Sequence, residues 1–166
     1  LIEKKDINIL KEAVYAGHVS SIGKHLNIFE NEIKKITKSK NVCLTSSGST
    51  ALHVCLKALG LNENHEVLIP NLNYIASANS ILMCNSIPHL IDVDEISLGI
   101  DVIKLDEYLK KNTYVTKTGC FNKKTKKRIK VCIALHPFGY SCEIQKLKKI
   151  LFKRKILLLE DAAEAF

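Results

Sequence analysis

The chain has no tryptophan, one methionine, three prolines and seven glycines in 166 residues. It also lacks any uninterrupted apolar run near the ~18–20 residues that a membrane helix needs, and its opening, LIEKKDINIL, does not have the basic-then-apolar order of a signal peptide. A membrane-spanning or exported protein is therefore not expected, and the cytoplasm is the expected compartment. The six cysteines, at 43, 55, 84, 120, 132 and 142, are nowhere closer than ten positions. No CxxC pair of a structural zinc site is present, no metal is expected, and buried reduced thiols are the simpler reading. Scarce Pro and Gly with 46% hydrophobic and 25% charged residues exclude collagen-like and disordered classes and leave an ordinary folded domain.

A balanced charge is also missing, since the formal net charge is +8. Residues 1–40 carry +3, residues 41–100 carry −4 and residues 101–166 carry +9. The middle third is acidic, and the excess gathers in Asn122–Arg128 and in Gln145–Lys155 without interleaved aromatics. That pattern fits solvated faces rather than a base-stacking surface, so no nucleic-acid partner is expected. A basic nucleic-acid or nucleotide-binding module stays as the charge-led alternative.

Apolar runs of strand length alternate with stretches of helical period. Strands are predicted at Val42–Thr45, Glu66–Ile69, His89–Val93, Ile129–Leu135 and Ile156–Glu160. Helices are predicted between them at Ser49–Leu59, Ile75–Cys84, Ile103–Lys111 and Glu143–Phe152, with two earlier ones at Lys5–Ala16 and Lys24–Thr37 joined by the linker Gly17–Gly23. This alternation predicts an α/β fold with a mostly parallel sheet flanked by helices, its strands buried on both sides. An N-terminal helical segment, residues 1–40, precedes a larger domain, residues 41–166. Tyr114–Lys130 breaks the alternation and reads as a surface hairpin inserted before the fourth strand.

Ligands of open parallel sheets bind beyond the carboxyl ends of the strands. After the first predicted strand, Ser46-Ser47-Gly48-Ser49-Thr50 opens a helix, and free N–H groups with flanking hydroxyls can cradle a phosphate. Ser47 or Ser49 can equally be a plain N-cap. A Walker A loop is excluded, because Ala51-Leu52 stand where lysine is required. After the second strand, Pro70-Asn71-Leu72-Asn73-Tyr74 leads into a helix rich in small residues, where Tyr74 either packs or offers a flat face to a planar ligand. His136-Pro137-Phe138-Gly139 follows the fourth strand. Asp161, with Glu164 three residues on, ends the fifth, and a buried carboxylate there asks for a cation. Phosphate cradle, aromatic face and carboxylate are the contacts that pyridoxal phosphate requires.

On these residues the sequence resembles the DegT/DnrJ/StrS family of sugar aminotransferases, which are fold-type I pyridoxal-phosphate enzymes. Gly17–Gly23 with Phe29-Glu30 is similar to the family's N-terminal segment, and Ser47–Leu52 to its SGTxAL phosphate loop, with Ser49 for the usual Thr. Pro70–Ala76 resembles PxxT(F/Y/W)xA, with Asn73 for Thr, and Pro88–Asp94 resembles PxFxDVD. His136–Gly139 resembles HxxG, and Glu160–Ala165 resembles EDAAQA with Glu164 for Gln.

The resemblance implies pyridoxal 5'-phosphate as cofactor, with Gly48 and Ser49 on its phosphate, Tyr74 on its ring face, Asp161 on its ring nitrogen as the catalytic carboxylate, and Glu164 near its ring oxygen or the sugar. It further implies transfer of an amino group, usually from glutamate, to a nucleotide-linked 4-keto-6-deoxy sugar by a homodimer. In such enzymes the Schiff-base lysine follows the ring-nitrogen Asp, but no lysine follows Asp161 here, and Lys57 lies two turns into a predicted helix. The chain is therefore expected to be the N-terminal part of the fold-type I large domain, inactive by itself. The inserted hairpin resembles the branch acting on N-acetylhexosamines in bacillosamine and legionaminic-acid synthesis. A sugar dehydratase of the same family, in which the lysine is replaced, is the enzyme alternative.

Overall fold

The computed structural model describes residues 2–20 and 23–165; Ser21 and Ile22 of the predicted linker lie outside them. The chain divides into two compact units, Leu1–Ser46 and Ser47–Phe166. In the first, α1 (Lys4–Tyr15) and α2 (Lys24–Thr37) are the two expected helices. Asp6 accepts the Glu3 N–H at 2.8 Å at the start of α1, and Lys24 pairs with Glu12. The strand predicted at Val42–Thr45 is absent, and the segment is irregular. Its apolar run satisfies the local pattern, but a strand exists only through a ladder with a neighbour, and it joins none.

The second unit begins with α3 (Gly48–Ala58), then β1 (His65–Pro70), α4 (Ile75–Leu82), β2 (Ile87–Ile91) and α5 (Val102–Asn112). The short strands β3 (Thr113–Val115) and β4 (Cys120–Asn122) follow, then β5 (Arg128–Leu135), a 3-10 turn at Pro137–Gly139, α6 (Ile144–Lys153) and β6 (Leu157–Asp161). The parallel strands run β2-β1-β5-β6, and β4 with β3 continues antiparallel from the beginning of β5. The expected mixed sheet with parallel core is therefore present. Its second strand lies two residues earlier than predicted, and Val93 only bridges Ile100.

Helices cover both faces. Leu56, Val67, Ile69, Ile81, Val131 and Ile133 form the core beneath α3 and α4. Leu68, Leu105, Leu109, Ile129, Cys132, Leu147 and Leu151 form the core beneath α5 and α6. Each fully buried leucine or isoleucine contributes about 1.5–3 kcal/mol relative to exposure. Ile129 and Val131 are two apart, yet they face opposite cores. Register explains this: Glu66 pairs with Ile129 and Val67 with Val131, so Lys130 is the extra residue of a bulge that inverts the alternation. β6 is flanked by β5 alone and is half-buried rather than buried on both faces.

The 114–130 segment makes two turns. β3 and β4 close through Thr116–Gly119, while Lys123–Lys127 forms the tight turn from β4 into β5 itself. Cys120 and Asn122 are buried, so this segment extends the sheet and its core. Asn122 and Thr125 donate to the Glu66 carboxylate, which is 1% exposed and also receives His89 Nδ1 at 2.8 Å. Burial pushes the Glu66 pKa up, but the hydrogen bonds from His89, Thr125 and Asn122 outweigh it and hold the carboxyl below its ordinary value.

Candidate active site

The chain runs from β1 outward to β2 and then returns to β5 on the other side of β1. The strand order reverses between β1 and β5, which is where an open sheet forms a crevice beyond its carboxyl ends. A cavity of about 560 Å³ lies there. Gly48, Ser49, Tyr74, Asp161 and Glu164 all line it. Residues more than a hundred positions apart thus meet in one place.

Each is placed by an identifiable local cause. Ser47 caps α3, its Oγ accepting the Thr50 N–H at 3.2 Å. The N–H groups of Gly48 and Ser49 precede that of Ala51, the first to donate within the helix, to the Ser47 carbonyl at 3.0 Å, and a Cβ built on Gly48 would meet nothing within 4 Å. The helix start is therefore open toward the cavity and carries the partial positive charge of the helix dipole.

Close packing against α4 holds it there: Ser80 Oγ donates to the Ser49 carbonyl at 3.3 Å, and the small residues Ala76, Ser77 and Ser80 are buried. Small side chains thus seat α4 as well as leaving a flat approach for a ligand; only Ala76 of the three lines the cavity. Tyr74 stands before the first turn of α4 with its ring 73% exposed. Asn73 Nδ2 donates to the Pro70 carbonyl at 2.5 Å and shapes the loop that presents it.

Asp161 is the last residue of β6, opposite Leu135 in the ladder, and its carbonyl accepts the His136 N–H at 3.1 Å. Its side chain is half-buried, and Oδ1 accepts the Ala163 N–H at 3.3 Å. Glu164 accepts the Phe138 N–H on Oε2 at 2.6 Å. His136 is buried and does not line the cavity; its Nε2 lies 3.2 Å from Glu160. Lys57 is exposed nine residues into α3, about 13 Å along the axis from Gly48, and lies outside the cavity lining.

Of the apolar lining, Leu72 and Phe138 lie in the segments after strands that the sequence singled out, and Leu135 carried no signal beyond ending a strand. The hairpin strands are not part of the lining. β3 pairs with β4 and β4 with Arg128 and Ile129, and six residues of strand at ~3.3 Å each separate Ile129 from Leu135, about 20 Å. In the first unit, Gly23 and Glu30 of the segment singled out in the sequence line a separate cavity with Ser20, Thr45 and Ser46.

Among the described residues no cluster of three or more His, Cys, Asp or Glu is disposed to hold a metal ion, and no helix is long and apolar enough to cross a membrane.

The site can hold an anion at a helix start, a flat ring against Tyr74 and a cationic ring atom against Asp161. The model of the DegT/DnrJ/EryC1/StrS aminotransferase family matches residues 1–166. GDP-perosamine synthase of Vibrio cholerae is 34% identical over 156 residues, covering 94% of this chain and 38% of that protein. An aminotransferase from Psychrobacter cryohalolentis superposes with a TM-score of 0.84 at 22% identity, over 100% of this chain and 38% of that one. The E. coli GDP-4-keto-6-deoxy-D-mannose-3-dehydratase, solved with bound hydrated PLP, gives 0.77 at 21%, over 96% and 38%. The chain spans about two fifths of the length of these proteins.

Proposed function

The chain belongs to the DegT/DnrJ/EryC1/StrS aminotransferase family, and from that premise we propose that it forms the pyridoxal 5'-phosphate side of a nucleotide-sugar aminotransferase. The observation that carries the reading is the convergence of Gly48, Ser49, Tyr74, Asp161 and Glu164 on one cavity at the switch point of the sheet. The cofactor's chemistry fits the residues present. The open position beside Gly48 has room for a phosphate, and the N–H groups of Gly48 and Ser49 bind it. Tyr74, exposed at the cavity, would offer its ring face to the pyridine. The Asp161 carboxylate would favour a proton on the pyridine nitrogen. When bound, the cofactor supplies the electron sink for the carbon that carries the amine.

The substrate is a nucleotide-linked 4-keto-6-deoxy sugar, with glutamate as amino donor and a homodimer as the working form in the cytoplasm. The name of the Vibrio cholerae relative favours GDP as the nucleotide. The hairpin that suggested an N-acetylhexosamine branch is about 20 Å from the cavity, so it supplies no argument for that substrate. No lysine follows Asp161 in this chain, and the chain alone does not transaminate. Sugar 3-dehydration is the second reading, favoured by the dehydratase among the structural neighbours. Both readings share the cofactor site.

The test is equilibrium dialysis of the chain with pyridoxamine 5'-phosphate, chosen because an aldehyde would react with the many surface lysines. Saturable binding that weakens at least tenfold in Asp161→Ala is expected, a loss of about 1.4 kcal/mol. Non-saturable binding, or an affinity that ignores Asp161, overturns the reading.

A further inference from the structure

Beside the cavity the backbone takes an unusual course. Phe138 has φ 54° and ψ 23°, and Gly139 follows with φ 82°. The left-handed conformation is disfavoured for a side-chain-bearing residue, and such residues persist where surrounding contacts impose them. Here the contact is visible. Glu164 Oε2 accepts the Phe138 N–H at 2.6 Å, and the Glu164 carbonyl lies 3.2 Å from where a Cβ on Gly139 would stand. The chain after β6 therefore clasps the turn after β5. The strain does not serve the core, because Phe138 is 70% exposed. It lines the cavity with Leu72 and Leu135.

The carbon that receives the amine must enter the cavity beside the cofactor, so the part of the substrate that meets this wall is the sugar rather than the nucleotide. A 6-deoxy sugar offers a methyl group and C–H faces, which a phenyl ring accommodates. Resting on the cofactor reading above, we infer that Phe138 is a specificity-determining residue facing the sugar, and that Glu164 is the positioning residue that holds it in the left-handed turn.

Two measurements test this. Amide hydrogen exchange at Phe138, read by NMR on the chain without ligand, is expected to quicken at least tenfold in Glu164→Ala and to stay within threefold of wild type in Glu164→Gln, whose carbonyl can still accept. Unchanged exchange in Glu164→Ala overturns the clasp.

The second measurement titrates GDP-D-rhamnose, with GDP as control, into chain saturated with pyridoxamine 5'-phosphate. Phe138→Ala is expected to weaken GDP-rhamnose about tenfold and to leave GDP and pyridoxamine 5'-phosphate within twofold. No GDP-rhamnose binding by the wild type, equal losses for GDP and GDP-rhamnose, or no loss overturns the specificity role. If the wild type fails to bind pyridoxamine 5'-phosphate saturably, the cofactor reading falls and takes the specificity role with it, while the exchange result separately decides the clasp.

Discussion

Replacing Glu66 by glutamine changes one oxygen into an amide nitrogen and removes a charge, at a side chain that is 1% exposed. Three groups donate to that carboxylate: His89 Nδ1 at 2.8 Å, Asn122 Nδ2 at 3.0 Å and Thr125 Oγ1. They come from β2, β4 and the turn into β5, so this one carboxylate ties the hairpin to the parallel sheet. Hydrogen bonds to a charged group contribute about 1.5–3 kcal/mol each, and breaking a buried charged arrangement costs about 3–5 kcal/mol because partners are left unsatisfied.

A loss of about 3–5 kcal/mol is expected at pH 7, against total stabilities of about 5–15 kcal/mol. With urea slopes of about 1–3 kcal/mol/M, the midpoint should fall by at least 1 M. Far-UV circular dichroism and tyrosine fluorescence report it, the chain having no tryptophan.

The pH dependence follows from the lowered Glu66 pKa. The stability this carboxylate contributes is complete above its unfolded-state pKa of about 4.3 and is lost as pH falls through the lower folded value. Wild type and Glu66→Gln should thus differ fully at pH 7, and the difference should narrow as pH falls from about 4.3 toward the lower folded-state value. A midpoint change under about 0.3 M urea, or a difference that does not narrow in acid, would refute the account.

Gly48→Ala separates folding from binding. The added methyl meets nothing within 4 Å and replaces a poor helix former, so stability should hold or rise by up to about 1 kcal/mol. Pyridoxamine 5'-phosphate, whose phosphate would use that space, should bind at least tenfold more weakly by dialysis; unchanged affinity would remove Gly48 from the cradle. Leu147→Ala empties a fully buried position under α6 and should cost about 2–5 kcal/mol in urea unfolding. Lys149→Ala on the exposed face of the same helix should stay within about 0.5 kcal/mol, and similar losses for the two would contradict the assignment of the buried face.

That the candidate residues would meet at one cavity was legible because their signals are local. Ser47-Gly48-Ser49 precedes a helical period, Tyr74 stands between a strand and a helix, and Asp161 closes an apolar run. A residue at or just after the end of a strand of a parallel sheet is placed at its carboxyl end whatever the strand order, which covers Tyr74 and Asp161, whereas Gly48 and Ser49 follow no strand and are placed by the start of α3. What depends on pairing was not legible. Val42–Thr45 has the composition of a strand and forms none. The bulge at Lys130 turns Ile129 and Val131 to opposite cores, which no reading of strict alternation predicts. Glu66 reads as the edge of an apolar run until β2 and β4 surround it with donors. The left-handed turn at Phe138 is hidden for the same reason, since its partner Glu164 is 26 residues away.

The two ends of the sheet differ in how their polar groups are satisfied. At the amino ends of the strands, Glu66 is saturated by donors, and lysines close exposed carbonyls. Lys123 donates to the Lys111 carbonyl at 2.6 Å, Lys127 to that of Glu63 at 2.5 Å and Lys130 to that of Gly60 at 2.8 Å. Two of these carbonyls lie at the ends of α5 and α3, where the helix dipole favours a cation. Three lysines of the basic last third of the chain thus donate to main-chain carbonyls at this end. At the carboxyl ends the arrangement is reversed: a helix start opens toward the cavity beside Gly48, Tyr74 stays exposed, and a strained turn is held by one carboxylate. Satisfied groups stabilise one end, while the other leaves the start of α3 and Tyr74 accessible in the cavity.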